Sequence, residues 1–305
     1  MSASDGGGSF ILPPLTTMIP KVVSTISSMF PQPADGSKPG INLNYNEIPS
    51  YIQTNHIHGH YRAHLSIWQC FISMFQYHNE TLQIWSHLVP AIILWYYALF
   101  KSSTSTHKVQ IIPSCVRLYC IGFATVFTAS WFAHTFNPIN ESWYLLCWRI
   151  DWGAISFAIW GTTWAIAELG FHKLPLRANI WKSIFTTSCL LFFYKSTKKE
   201  FHLEASVMER ASISLIMAAA IIGFCVDVAR TLPTFDLQQV KAAIRLPMIL
   251  VVVGMTIFAA EFPESQFVDV NFDMSRGHHL IHHLWSTIFA LLLRHNLIKW
   301  HKDQQ

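Results

Sequence analysis

Long apolar runs separated by short polar connections dominate the chain from residue 82 to residue 298. A helix needs about 20 mostly apolar residues to cross a bilayer, so these runs predict membrane-spanning helices. There are seven such runs, at 82–100, 116–136, 143–167, 180–196, 211–229, 244–260 and 279–298. Because the connections are short, the pattern predicts an all-α membrane protein built as a seven-transmembrane helical bundle.

The segment before the first span, residues 45–81, predicts an amphipathic helix that lies on the membrane surface. Its apolar residues recur at helical spacing and are Trp68, Phe71, Ile72 and Phe75. Residues 1–44 are rich in Gly, Ser and Pro, which predicts a mobile N-terminal tail, and residues 299–305 are predicted to form a C-terminal tail. The first ten residues lack a basic region followed by an apolar core, so no cleavable signal peptide is expected.

Composition supports the membrane interpretation. The chain is 51% hydrophobic and 12% charged, whereas a soluble domain carries about 25% charged residues. The net charge of +4 is scattered, so no nucleic-acid partner is expected. No CxxC pair occurs, and the six cysteines are predicted to be small buried hydrophobic residues. They are Cys70, Cys115, Cys120, Cys147, Cys189 and Cys225.

The distribution of basic residues does not fix the orientation in the membrane. With a cytoplasmic N-terminus, the cytoplasmic connections would contain Lys195, Lys198, Lys199 and Arg210. The opposite connections would contain more basic residues: Lys101, Lys108, Arg117, Lys173, Arg177, Lys182, Arg230, Lys241 and Arg245. By the positive-inside rule this tally leans against a cytoplasmic N-terminus.

Polar residues inside predicted spans are expensive, and each is therefore a candidate for function. Ser130 and His134 end the second span, Asp151 begins the third, and the sequence HHLIHH (278–283) begins the seventh. The second span leaves the membrane on the side where the third and the seventh enter. The topology therefore predicts that all these side chains lie at similar depth on one side of the bilayer.

The spacing of these histidines suggests a metal site. His278 and His282 are four residues apart, as are His279 and His283, and residues four apart share one face of a helix. Three imidazoles and an open position form a known catalytic zinc arrangement, which activates water and polarises a carbonyl. Either pair could provide two of the ligands.

Asp151 could orient a ligand or act as general base, and Ser130 could hydrogen-bond the water or an oxyanion. The alternative is that the histidines are interfacial, capping helices or contacting headgroups. In that interpretation Asp151 pairs with Arg149 or with a histidine of the seventh span.

Three further polar groups are given a less specific interpretation. A run of histidines before the first span is predicted to be a solvated surface and consists of His56, His58, His60 and His64. The acidic residues of the sixth connection are predicted to be a solvated loop: Glu261, Glu264, Asp269 and Asp273. Asn79 and Glu80 are predicted to cap the first span, with a position of Glu80 or His87 near the zinc as the alternative.

Several motifs resemble those of the progestin and adipoQ receptor family, which includes the adiponectin receptors. HNETLQIWSHL (78–88) is similar to the family's HNET-x-N-I-W-x-H-L signature. ASWFAHTF, DWGAISF and GHHLIH resemble its motifs in the second, third and seventh helices, and GHYR (59–62) resembles its Gly-Tyr-Arg. The resemblance covers about residues 45–295.

This resemblance implies seven helices, a cytoplasmic N-terminus and a buried zinc ion held by His134, His278 and His282, with Ser130 and Asp151 beside it. The sequence departs from the family pattern where His279 replaces a glutamine and His283 follows the last expected ligand. His279 and His283 are therefore the alternative pair.

Similarity of this family to alkaline ceramidases implies an intramembrane zinc hydrolase that acts on a lipid amide such as ceramide or a related sphingolipid. The alternative is a non-enzymatic receptor for an extracellular ligand, or a regulator of lipid or metal homeostasis, with a structural zinc. An ion transporter is not expected, because no acidic relay links the spans. The expected location is the endoplasmic reticulum or the plasma membrane.

Overall fold

The structure is a computed structural model that describes residues 36–100, 103–105, 108–110, 113–198 and 207–304. These residues form eight α-helices and four short strands. The helices are α1 (Ile67–Ser73), α2 (Thr81–Leu99), α3 (Ser114–Phe136), α4 (Glu141–Gly170), α5 (Pro175–Ser196), α6 (Val207–Thr231), α7 (Thr234–Ala259) and α8 (Gly277–Asp303). The strands are β1 (Gly40–Leu43), β2 (Tyr61–Ala63), β3 (Ser103–Ser105) and β4 (Lys108–Gln110).

Each predicted span falls on one of the seven long helices, so the predicted all-α architecture is confirmed. Within the described residues, three helical segments are apolar and long enough to cross a membrane by length and composition alone: α2, α3 and Asp236–Ala259 of α7. The other long helices carry more polar groups, such as Lys182 in α5 and four histidines in α8. Many of these groups contact other helices, so their cost in a bilayer is reduced.

Helix α8 packs against α2, α3, α4 and α7, and is therefore the element around which the bundle closes. Hydrogen bonds join neighbouring helices inside the bundle, where water cannot satisfy polar groups. The Tyr119 hydroxyl of α3 donates to the Ala290 carbonyl of α8 over 2.9 Å. Similar bonds join Trp95 to Thr128 and Trp160 to Thr186, each over 3.0 Å.

Helices α3 and α4 approach each other closely at two glycines. A Cβ on Gly122 would lie 2.3 Å from the Phe157 carbonyl oxygen and 3.5 Å from the Cα of Gly161. A Cβ on Gly161 would lie 3.0 Å from the Leu118 carbonyl oxygen. Small residues at such crossings allow the backbones to pack directly, which is the main attraction between helices in lipid.

A folded cap precedes the bundle. Strands β1 and β2 pair antiparallel, and Ile48, Ile52 and Ile57 are buried with Tyr61 beneath them. Within the range predicted as an N-terminal tail, 1–44, residues Gly40–Leu43 form β1. Most of that predicted tail lies outside the described residues. Residues 299–303, predicted as a C-terminal tail, continue α8 and bury Trp300.

The predicted amphipathic helix is present as α1, which begins at a capping box formed by Ser66 and Gln69. The Ser66 hydroxyl accepts from the Gln69 backbone N–H, and the Gln69 side chain accepts from the Ser66 N–H. The predicted apolar residues Trp68, Phe71, Ile72 and Phe75 are exposed on its outer side. This exposure is consistent with contact with the membrane surface.

Candidate metal centre

Three histidines from two helices converge at one end of the bundle. His134 lies in the last turn of α3, and His279 and His283 lie in the first two turns of α8. One ring nitrogen from each lies within 4.8 Å of the others, and all three side chains are buried. Their ring centroids are separated by 4.6 to 5.0 Å. Among the described residues, no other group of histidines, cysteines or carboxylates has a spacing that suits a metal ion.

His278 and His282, which the resemblance favoured as ligands, do not join His134. The His278 Nδ1 atom bonds to Glu264 over 2.9 Å, and the His282 ring packs on Phe258 with centroids 5.0 Å apart. The alternative pair, His279 and His283, meets His134 instead. The predicted grouping is therefore corrected, and its reason is the rotation of α8, which directs the other two histidines towards α7 and its following loop.

In two of the three histidines, the ring nitrogen that faces away from the cluster has a hydrogen-bond partner. The His134 Nδ1 atom lies 2.5 Å from a Glu80 carboxylate oxygen, and the His283 Nδ1 atom lies 2.9 Å from the Ser86 hydroxyl. Metal-binding histidines are typically held this way, because the outer partner fixes the tautomer and the orientation of the ring.

The nitrogen of His134 that faces the cluster is unsatisfied. Its buried Nε2 atom has no hydrogen-bond partner within the described part of the chain. A buried polar atom without a partner costs free energy unless it serves a purpose. Three imidazole nitrogens in a buried pocket suit Zn²⁺ with one coordination position left for water, so the residues fit the predicted zinc ion.

Glu80 connects the cluster to the loop before α8. Its second oxygen pairs with the Arg276 guanidinium, so one carboxylate bridges His134 and Arg276. Glu80 occupies the N-cap position of α2 but makes no capping hydrogen bond with its side chain. The predicted capping role is therefore wrong for Glu80, and the alternative role beside the cluster describes its contacts.

Arg62 of β2 holds the end of α3 that carries His134. Its guanidinium donates to the carbonyls of His134 and Thr135 over 2.6 and 3.3 Å and to the Ser73 hydroxyl over 2.6 Å. The last carbonyls of a helix lack internal partners, so this contact satisfies them and complements the helix dipole. Burial lowers the pKa of Arg62 to about 10, which still leaves it positively charged at neutral pH.

Asp151 and Ser130 lie beside the cluster, where the sequence predicted them. The Asp151 carboxylate lies near both the His134 ring and the Ser130 hydroxyl. Ser130 is buried, whereas Asp151 is half-buried about three turns into α4. The structure thus brings a carboxylate and a hydroxyl to the histidine cluster, and their catalytic roles stay predictions.

His87 forms a further layer on the cluster, the position that sequence reasoning gave as its alternative. Its ring stacks on His283 with centroids 3.6 Å apart and lies 4.8 Å from Phe127 on the other side. Both of its ring nitrogens are buried and have no hydrogen-bond partner within the described residues. His87 therefore supports the position of His283 by ring packing.

The remaining polar groups are structural. Glu264 is buried and accepts hydrogen bonds from the His278 backbone N–H, so it caps α8 from the preceding loop. Asp273 is also buried and accepts from the His58 backbone N–H over 2.7 Å. The prediction of a solvated acidic loop is therefore wrong for these two residues.

The histidines before the first span contact other parts of the cap. His56 lies 3.2 Å from Glu261, His60 lies 3.2 Å from Asn42, and His64 lies 2.7 Å from Ser37. His56, His60 and His64 all have positive φ angles of 53° to 61°, a left-handed conformation that histidine tolerates at turns. These side chains shape the cap and join no metal-type group among the described residues.

Comparison with known proteins decides the family. The haemolysin-III related family model matches residues 75–293. The chain belongs to this family. Its members include the receptor-like proteins whose motifs were found in the sequence, and the chain is an integral membrane protein with seven spanning helices.

Individual relatives match over most of the chain. An ADIPOR-like receptor IZH1 from Eremothecium gossypii is 24% identical over 280 residues, covering 85% of this chain and 86% of the relative. Heptahelical transmembrane protein 3 from Arabidopsis thaliana is 22% identical, covering 82% and 84%. Membrane progestin receptor gamma-B from Danio rerio is 25% identical, covering 56% and 52%.

Proposed function

We propose that this protein is a zinc-dependent intramembrane hydrolase that acts on a lipid amide such as ceramide. The observation that carries the proposal is the buried cluster of His134, His279 and His283 next to a carboxylate. Three imidazole ligands leave one position of a tetrahedral zinc ion for a reacting water. A site inside the membrane also suits a substrate whose acyl chain stays in lipid.

In this proposal His134, His279 and His283 hold the zinc ion, which supplies Lewis acidity and a low pKa for water when it is bound. Asp151 accepts the proton of the attacking water and later returns it to the leaving amine. The Ser130 hydroxyl, beside Asp151, donates a hydrogen bond to the developing oxyanion. Glu80 and Arg62 act as positioning residues, because both hold His134 in place.

The alternative is a receptor or homeostatic regulator in which the zinc ion is structural. The names of the relatives favour this second function, since two of them are receptors by name. It uses the same ligands but does not require Asp151 as a base. We also propose that the N-terminus is cytoplasmic and that the protein lies in the endoplasmic reticulum or the plasma membrane. As a receptor, it would bind an extracellular ligand.

The test uses purified full-length protein, its zinc content and its hydrolysis of ceramide. We expect one zinc per chain, lost in His283→Ala and retained in the neighbouring control His282→Ala. Asp151→Asn is expected to keep zinc and to lose at least about 100-fold in turnover, the contribution of general-base catalysis. Stoichiometric zinc without turnover of any lipid amide would overturn the hydrolase and leave the structural-zinc function.

A further inference from the structure

A cavity of about 420 Å³ lies between α5 and α6, far from the histidines. Helix α3 ends and α8 begins at the histidine cluster, whereas α5 begins and α6 ends at the opposite end of the bundle. The lining side chains that matter here are Arg177, Ile180, Trp181, Val226, Asp227 and Arg230. The cavity therefore opens near the other face of the membrane.

The single carboxylate among the lining residues of the cavity accepts hydrogen bonds from three neighbours. One oxygen of Asp227 accepts from Arg177 over 2.9 Å and from the Thr231 hydroxyl over 3.1 Å. The other oxygen accepts from the Trp181 indole N–H over 2.7 Å. Asp227 thus fixes Arg177 and Trp181 in the wall of the cavity, and Arg230 is not among its partners in the described part of the chain.

The cavity retains a positive charge. Arg177 and Arg230 contribute two cations against the one anion of Asp227. Arg230 is exposed and makes no ion pair among the described residues, and Arg177 leaves 43% of its side chain exposed despite its bond to Asp227. The residual charge of one matches a singly charged anion, and guanidinium groups bind phosphate through parallel N–H donors.

The polarity of the lining changes with depth along both helices. Arg177 and Arg230 lie near the helix ends, whereas Ile180 and Val226 lie about one turn deeper and are 50% and 43% exposed. The lining therefore changes from cations near the membrane face to aliphatic and aromatic side chains about one turn deeper. A phospholipid has the same order of charged headgroup and acyl chain along the membrane normal.

We propose that this cavity binds the phosphodiester headgroup of a singly charged anionic phospholipid, with the first part of its acyl chains against Ile180 and Val226. Guanidinium groups above an apolar wall offer the phosphodiester charge-assisted hydrogen bonds and the acyl chains an apolar contact. Trp181, which donates to Asp227, lies within two turns of the start of α5, and tryptophan favours the headgroup region of a bilayer. The site is separate from the histidine cluster and does not depend on the proposed hydrolase.

Native mass spectrometry of the delipidated full-length protein in detergent tests this site with dioleoylphosphatidylglycerol and dioleoylphosphatidylcholine. We expect preferential binding of phosphatidylglycerol, weakened about fivefold by Arg230→Gln, since one basic contact contributes about 1 kcal/mol. Val226→Trp fills the cavity without changing the charge and is expected to weaken binding at least as much. Lys302→Gln removes an exposed cation at the same end of the bundle, outside the cavity, and is expected to have no effect.

Several results would overturn the proposal. Equal binding of the two lipids would remove the role of the negative charge. Equal losses in Arg230→Gln and Lys302→Gln would show a diffuse surface attraction rather than a site. Equally tight binding of free glycerol 3-phosphate would exclude the lipid as the occupant, because the acyl contacts would then contribute nothing. Each variant must elute as a single folded species before its lipid binding is compared.

Discussion

Glu80 shows at the level of one residue how a sequence motif acquires a chemical meaning. It stands directly before α2, where an acidic residue would ordinarily cap the helix. Its carboxylate instead binds the Nδ1 atom of His134 and the guanidinium of Arg276. These two partners lie in α3 and in the loop before α8, far from Glu80 in the sequence, so no local pattern could reveal this bridge.

Glu80→Gln is expected to weaken zinc binding about 10- to 100-fold, because the outer partner of a ligating histidine would lose its negative charge. The matched control is Glu261→Gln, which alters the same kind of carboxylate–histidine contact at His56, outside the cluster. Zinc affinity measured by competition with a chelator separates the two variants. Equal affinities of the two variants would contradict the assignment of His134 as a ligand.

His78 has its protonation state fixed by two backbone groups. Its Nδ1 atom accepts from the Glu80 N–H over 3.1 Å, and its Nε2 atom bonds to the Ser73 carbonyl over 3.0 Å. Both contacts require the neutral ring with the hydrogen on Nε2. Burial, with the nearby Arg62, lowers the pKa of His78 to about 3.

This lowered pKa predicts a loss of stability in mild acid. Between about pH 6.5 and pH 3 the unfolded chain binds a proton at His78 that the folded chain does not, so stability falls as the pH falls. At pH 5 the protonation of His78 in the unfolded chain lowers the free energy of unfolding by about 2 kcal/mol. His78→Asn keeps an acceptor for the Glu80 N–H and cannot be protonated in this range. Its thermal unfolding midpoint is expected to drop less between pH 7.5 and pH 5.0 than that of the wild-type protein, and an equal drop would contradict the prediction.

Elements of this bundle are held together by close backbone approach and by polar contacts at their ends. The crossing of α3 and α4 at Gly122 and Gly161 brings the His134 and Asp151 helices into direct contact. Arg62 closes the end of α3, and Glu264 caps the start of α8. These contacts place the helix ends, and with them the side chains of the candidate metal centre.

Gly122→Ala is expected to destabilise the bundle by about 1–3 kcal/mol, the usual cost of overpacking. The new Cβ would lie 2.3 Å from the Phe157 carbonyl oxygen, so α3 and α4 would have to separate. Gly170→Ala is the control, because a Cβ there would have no neighbour closer than 3.6 Å. Thermal unfolding in detergent compares them, and a midpoint of Gly122→Ala as high as that of Gly170→Ala would contradict the close packing.

The whole molecule is joined at one end by the histidine cluster, which links α3 to α8 and, through Glu80, to the start of α2. A ligand that binds only the folded state stabilises it, by about 2.7 kcal/mol at a concentration 100 times its Kd. A bound zinc ion would therefore act as a cross-link between elements that begin and end far apart in the chain.

Removal of zinc with a strong chelator is expected to lower the thermal unfolding midpoint of the wild-type protein by about 5 °C or more. The same treatment is expected to leave the midpoint of His283→Ala unchanged, because that variant has already lost a ligand. His282→Ala is the control and should respond as the wild-type protein does. A chelator effect of the same size in His283→Ala would show that the stabilising metal lies elsewhere.

The sequence by itself determined the seven helices and the end of the bundle at which the polar residues meet. Both follow from apolar run length and from the alternating direction of successive spans, which are local properties. The same apolar runs predicted that the cysteines are buried. Five of the six are buried, whereas Cys225 on α6 is exposed.

Only the tertiary structure decided which histidines face one another. His278 and His282 satisfy the same four-residue spacing as His279 and His283, and the two pairs differ by one residue, or about 100° of rotation around α8. The contacts of Glu264 with His278 and of Phe258 with His282 fix that rotation. Because these partners come from α7 and the loop after it, the choice rests on packing between elements and cannot be read from the spacing within one helix.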